Sequence, residues 1–154
     1  MGKILTISVI LLLTASCGNS EKEQAEHMLQ EAQALFEKGR LDEARYYIDS
    51  LRKTYPNIVE ARKGILELHQ KIELKAAQEE LVRTDSLLKI ANQKLDSMQT
   101  IVESDKAALK ATPEELTLLT RTRIWRDSIR TQFETLGAKI HYIRQKQKET
   151  KGGK

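Results

Sequence analysis

One cysteine among 154 residues leaves no disulfide to be formed within the chain. Two prolines and seven glycines are too few to punctuate a strand-and-turn fold, and two of the glycines fall in the terminal Lys151-Gly152-Gly153-Lys154. Seven aromatics, counted as two Phe, one Trp and four Tyr, argue against a thick core and for helices carrying narrow apolar stripes. The longest apolar run, residues 4–13, reaches only half of the roughly 20 residues that a membrane-spanning helix needs. Also missing are a glycine-rich phosphate loop, a His-Glu-x-x-His pair and a nucleophile elbow. His27, His69 and His141 fall on three separate predicted helices, with no second histidine or cysteine at ligand spacing. The expectation is therefore neither an enzyme nor a metal protein.

What the chain does have is charge, unevenly placed. The formal balance is +4, with residues 17–112 carrying 15 basic and 17 acidic side chains and residues 113–154 carrying 10 and 5. The basic excess belongs to the C-terminal arm.

The single thiol stands behind Lys3 and the short apolar run, with Ala15 and Ser16 directly before it. A positive start, a ten-residue apolar stretch and small residues describe an export signal, residues 1–16, that is removed on maturation. The segment resembles the lipobox of bacterial lipoproteins, with Thr14 standing where leucine is usual. That resemblance implies that Cys17 becomes the first mature residue and carries diacylglycerol on its sulfur and an N-acyl chain on its amine. A sulfur so used needs no disulfide partner. Two or three acyl chains anchor stably, at about 0.8 kcal/mol per buried methylene, where one chain does not. Gly18 after the cysteine implies the outer membrane, and the acidic Ser20-Glu21-Lys22-Glu23 is similar to the surface-export signals of Bacteroidota lipoproteins. Envelope residence also makes nucleic acid a poor partner.

Behind a linker at 17–20, Ser20 and Glu23 have the spacing of a capping box ahead of Ala25, Met28, Leu29, Ala32, Leu35 and Phe36, which recur at helical intervals. Gly39 supplies a left-handed stop, and a second helix runs from Leu41 to Pro56. Ala32, Gly39, Ala44, Ile48, Leu51 and Pro56 fall at the small, turn, small, large, packing and terminating positions of a tetratricopeptide repeat, which this stretch resembles. The resemblance implies a helix pair whose concave face binds peptides or helices, with Tyr46, Tyr47 and Tyr55 as contact candidates. Asn57 and Glu60 are expected to cap a third helix that completes a three-helix base over residues 21–75.

From Ile58 to Ala111 no stop signal occurs, so the third helix is expected to run for some 54 residues, about 80 Å. Leu74, Leu81, Leu88, Leu95, Val102 and Leu109 recur every seven residues, with Ala77, Thr84, Ala91 and Met98 between them. Thr112, Pro113 and Glu115 read as N-cap, first-turn proline and capping glutamate of a further helix. Its seam runs through Leu119, Thr122, Arg126, Ile129, Phe133, Leu136, Ile140 and Ile143. A turn at 111–113 then pairs Leu95 with Ile129, Leu88 with Leu136 and, near the turn, Met98 with Arg126 and Val102 with Thr122, which are mismatched layers. The expected fold is all-α: a tetratricopeptide-like helix pair, a very long helix and a return helix that form an antiparallel coiled-coil hairpin over residues 76–150, with a disordered tail at 151–154.

Asp-Ser followed by an apolar residue appears at Asp49, Asp85, Asp96 and Asp127, but the irregular intervals form no repeat, and polar faces beside an apolar seam generate such triplets readily. Arg121, Arg123, Arg126 and Arg130 around Trp125 are the more informative group, because an indole beside guanidiniums suits a partner's carboxylates or an anionic lipid or glycan. The functional expectation is a membrane-anchored helical adaptor that binds another envelope protein. The alternatives are a self-associating spacer, pairing through Leu87 and Ile101 beside the seam, and an anion binder acting through the basic arm. No cofactor is expected beyond the lipid on Cys17.

Overall fold

The computed structural model describes residues 17–152, and all four of their regular elements are helices: α1 (Cys17–Glu37), α2 (Leu41–Thr54), α3 (Val59–Ala107) and α4 (Pro113–Gly152). The fold is all-α, and the long α3 packs against α4 as a helical hairpin. Two compact units meet in sequence between Ile72 and Glu73, so residues 59–72 of α3 belong to the first and the rest of that helix to the second. The leader through Ser16 lies outside the described residues.

In the first unit, Gly39 at φ 77° turns the chain between α1 and α2. The Gly39 amide donates to the Phe36 carbonyl and the Arg40 amide to that of Leu35, the paired bonds of a Schellman motif. Six buried residues, Ala25, Ala32, Ala44, Ile48, Leu51 and Ala61, form a core with Ile65, Leu68 and Ile72 of α3. Four of the nine are alanines, and small side chains let helix axes approach. Gly64 adds to this: a Cβ there would lie 2.6 Å from the Leu29 Cδ2.

Two helix starts differ from expectation. Helix α1 begins at Cys17, so residues 17–20 are helical rather than a linker and Ser20 is an interior residue, its hydroxyl accepting from Gln24 Nε2 at 3.4 Å. None of Cys17, Gly18 and Asn19 is a proline or a left-handed residue that would stop helical bonding from continuing to Cys17. Helix α3 begins at Val59, with the Arg62 amide donating to the Ile58 carbonyl, which makes Ile58 the N-cap and puts Asn57 outside the helix.

In the second unit the seven-residue pattern governs burial. On α3, Ala77, Thr84, Ala91, Leu95 and Val102 are buried, and Leu74, Leu81, Leu88 and Met98 half-buried. On α4, Thr122, Ile129, Ile140 and Ile143 are buried, while Leu119, Arg126, Phe133 and Leu136 are half-buried. The capping box at Thr112 forms as the sequence implies: the Thr112 amide donates to Glu115 Oε2 at 2.8 Å and the Glu115 amide to Thr112 Oγ1 at 3.2 Å.

The turn itself departs from expectation. Helix α3 ends at Ala107, short of Ala111, because Leu109 adopts φ 58°. Its amide donates to Lys106 and that of Lys110 to Asp105, repeating at a leucine the motif that Gly39 makes. Leu109 is consequently 95% exposed and leaves the seam to which its spacing assigns it. The earlier stop also changes the pairing, since Thr122 Oγ1 donates to the Met98 sulfur at 3.1 Å, about one turn along α3 from its expected partner Val102. Thr122 and Val102 are both buried. At the other end α4 continues through Lys151 and Gly152, two residues of the segment read as a disordered tail.

Two outcomes follow from these backbones. Leu109→Gly removes a left-handed strain of roughly 1–2 kcal/mol while giving up an exposed side chain and some unfolded-state entropy, so it is expected to stabilise the hairpin by about 1 kcal/mol in urea denaturation. At Gly64, alanine sets a helix-propensity gain of about 1 kcal/mol against a displaced Leu29 rotamer of similar cost, and the denaturation midpoint should hardly move. Gly64→Leu has no such compensation and should destabilise by roughly 1–3 kcal/mol.

Candidate functional site

Seven-residue spacing puts Glu73, Glu80, Leu87, Lys94 and Ile101 on one flank of the α3 seam, and Leu118, Trp125, Gln132, Lys139 and Lys146 on one flank of the α4 seam. These two flanks face each other. Lys139 Nζ lies 2.7 Å from Glu73 Oε2, Gln132 Nε2 donates to Glu80 Oε1 at 3.3 Å, and Lys94 Nζ stands 5.9 Å from the centre of the Trp125 ring. The last is a cation–π contact within the usual ~6 Å limit.

The chemistry of this flank changes along its length. The Glu73 to Gln132 end is polar and paired. Towards the turn it becomes apolar and uncovered: Leu87, Ile101, Leu118 and Trp125 are 47%, 55%, 51% and 40% exposed. Lys94 and Arg121 border this stripe, and among the described residues neither has an ion pair. The opposite flank carries Gln78, Asp85, Asn92 and Gln99 of α3 with Arg123, Arg130 and Arg144 of α4.

The basic cluster read from the sequence is thereby divided. Arg121 shares the Trp125 side, one turn away, whereas Arg123 and Arg130 lie across the seam from it. Arg126 enters the seam itself with 19% of its side chain exposed. Its Nε comes within 2.8 Å of Asp127 Oδ1, but in a geometry that leaves the buried N–H without an aligned hydrogen bond. An indole ringed by four guanidiniums is not what the fold builds. Lys94 and Leu118 instead complete the Trp125 surface, Leu118 by its seven-residue spacing on α4 and Lys94 through the pairing of α3 with α4.

The three tyrosines are also separated in role. Tyr46 is exposed and meets the half-buried Tyr47 edge to face at 6.3 Å. Tyr55 caps α2, its amide donating to the Leu51 carbonyl, and its hydroxyl donates to Gln24 Oε1 at 2.8 Å. It is the one tyrosine of the three that lines a groove of 480 Å³ between the end of α2 and the start of α3, where Pro56, Ile65 and Leu66 form the apolar side and Arg52, Arg62 and His69 the polar one. Pro56 thus closes the helix pair and also presents its carbonyl to Arg62, which donates to it from Nε and Nη2.

Among the described residues no group of histidine, cysteine and acidic side chains could hold a metal ion, and no helix is long and apolar enough to cross a membrane. At the end of α4 the Lys146 pKa is raised, first by its hydrogen bond to Glu149 and then by that carboxylate's charge, and Glu149 is lowered by the same contacts. Both groups are fully exposed, where such pairs contribute little. No known protein family, curated protein or solved structure matches this chain.

A second seam group besides Arg126 Nε lacks a hydrogen-bond partner: the Thr84 hydroxyl is buried and unbonded. Thr84→Val keeps the branched shape and removes the unsatisfied group, and should raise stability by about 1 kcal/mol on thermal or urea denaturation.

Proposed function

We propose that this chain is a lipid-anchored docking module of the bacterial envelope: acyl chains on Cys17 hold it at the outer membrane, facing the periplasm or the cell surface, and a partner protein packs on the hairpin. The observation that carries the reading is the uncovered stripe of Leu87, Ile101, Leu118 and Trp125, with two cations at its edge. Exposed apolar side chains scattered singly need no explanation, but four on adjoining flanks of one helix pair, with a tryptophan among them, have the composition of an interface centre. The leader and lone cysteine supply the address, and the reading includes no catalysis. It favours protein docking over anion binding by the basic arm, because Arg123 and Arg130 stand away from Trp125 and Arg121.

Leu87→Glu with Trp125→Glu places charge on the stripe without entering the seam. Helicity should be unchanged, and capture of a specific partner from envelope extract should fall by roughly 30-fold, as for loss of a 2 kcal/mol anchor. Undiminished capture by the double variant overturns the docking face. Light scattering on the same pair separates the spacer alternative: a dimer that these substitutions convert to a monomer would make the stripe a self-pairing surface. Mass spectrometry of the mature chain checks the anchor, which requires the diacylglycerol and N-acyl mass on Cys17.

A further inference from the structure

The groove of the first unit is not used by the docking reading, and its composition is one-sided. Two guanidiniums and an imidazole, from Arg52, Arg62 and His69, line it, and no carboxylate is among its described lining residues. Arg62 is held in place by the two bonds to the Pro56 carbonyl, which engage two of its five N–H donors. Arg52 and His69 have no ion pair or side-chain hydrogen bond among the described residues. A fixed guanidinium with a second one beside it is suited to the tetrahedral oxygens of a phosphate. Pro56, Ile65 and Leu66 give the same cavity an apolar wall, and 480 Å³ falls within the usual ~300–1,000 Å³ of small-molecule sites.

Position adds to composition. Tyr55, on the rim, is hydrogen-bonded to Gln24, and Gln24 stands seven residues beyond Cys17 in the same helix, about 10 Å along its axis. A chain tethered through Cys17 carries this groove close to the headgroup layer.

We propose that the groove binds an anionic phospholipid, its phosphate on Arg52 and Arg62 and its glycerol and upper acyl portion on Pro56, Ile65 and Leu66. The proposal rests on the anchored reading above. It gives the first unit a task of its own: a second, non-covalent hold on the membrane fixes which way the unit faces, where a flexible covalent tether alone does not.

The test is a titration of the full mature protein in zwitterionic micelles, following the NMR signals of Arg62 Nε–H and His69 Cε1–H. The probes are dihexanoyl-phosphatidylglycerol, dihexanoyl-phosphatidylcholine, inorganic phosphate and a short peptide ending in two carboxylates. Phosphatidylglycerol should give saturable shifts, at least ten-fold tighter than phosphatidylcholine or inorganic phosphate. Arg52→Gln, at an exposed side chain with no protein partner, should weaken it at least ten-fold with the fold unchanged, and Arg62→Gln should weaken it further. The proposal is overturned by absence of saturation, by equal binding of the Arg52→Gln protein, by inorganic phosphate binding as tightly as the lipid, or by the peptide binding more tightly than either. Its failure is distinct from that of the anchor: acylated Cys17 with a silent titration removes the groove alone, and bare Cys17 with saturable lipid binding removes the anchor alone.

Discussion

A helix of 49 residues exposes most of its surface unless something covers a stripe along its whole length, and that requirement shapes everything after Val59. Isolated helical hydrogen bonding does not sustain such an element; tertiary burial of one face does. In α3 the covering changes hands. Ala61, Ile65, Leu68 and Ile72 are buried in the core with α1 and α2, and from Ala77 to Val102 the seam is buried by α4. The buried positions advance in 3- and 4-residue steps in both stretches, since Ala61 and Leu68, like Ile65 and Ile72, are seven apart, but the phase slips between Ile72 and Ala77. One uninterrupted backbone thus serves two cores with the same periodicity in two phases.

The same seam decides where chemistry can be placed. Residues on its two flanks are set by register, so the contrast between the Trp125 side and the Arg123–Arg130 side follows from counting sevens rather than from local clustering in sequence. Ion pairing at Glu73 with Lys139 covers one end of the Trp125 flank, and nothing comparable covers Leu87, Ile101 or Leu118. In the first unit, site chemistry comes from chain reversal instead: Pro56 ends one element, and its carbonyl holds Arg62 of the next.

Much of the architecture was legible in the sequence because single residues with strong conformational preferences mark it. Gly39 announces the first turn, and Thr112 with Glu115 forms its cap as written. The heptads select the residues that α3 and α4 bury. Where reading failed, the deciding residue had no distinctive preference. Leucine at position 109 adopts a conformation that glycine usually supplies, so the end of α3 was invisible and the register was displaced with it. Gly64 is similarly mute in sequence, since only the position of Leu29 shows why a side chain is excluded there. The candidate surfaces were half legible. Trp125 and Tyr55 stand out as aromatics in a chain with few, and Leu118 and Arg52 lie close to them in sequence, whereas Lys94 and His69 join them only through packing between different helices. The export signal and the lipid on Cys17 are read from residue types alone, and the proposed address rests on that reading.

The two ends that meet at the hairpin turn are each closed locally, one by backbone bonds back to Asp105 and Lys106 and the other by the reciprocal Thr112–Glu115 pair. The Lys110 and Ala111 amides both donate to the Asp105 carbonyl and so belong to the end of α3, and the one link outside both closures joins Ala111 to Thr112. Lengthening a flexible connection carries only a slowly growing entropic penalty, about 0.6 kcal/mol per doubling. The turn is accordingly the natural seam for insertion or for re-joining the chain in a different order: a peptide tag, a reporter or a new pair of termini could be accommodated between these residues while both helices keep their own ends intact.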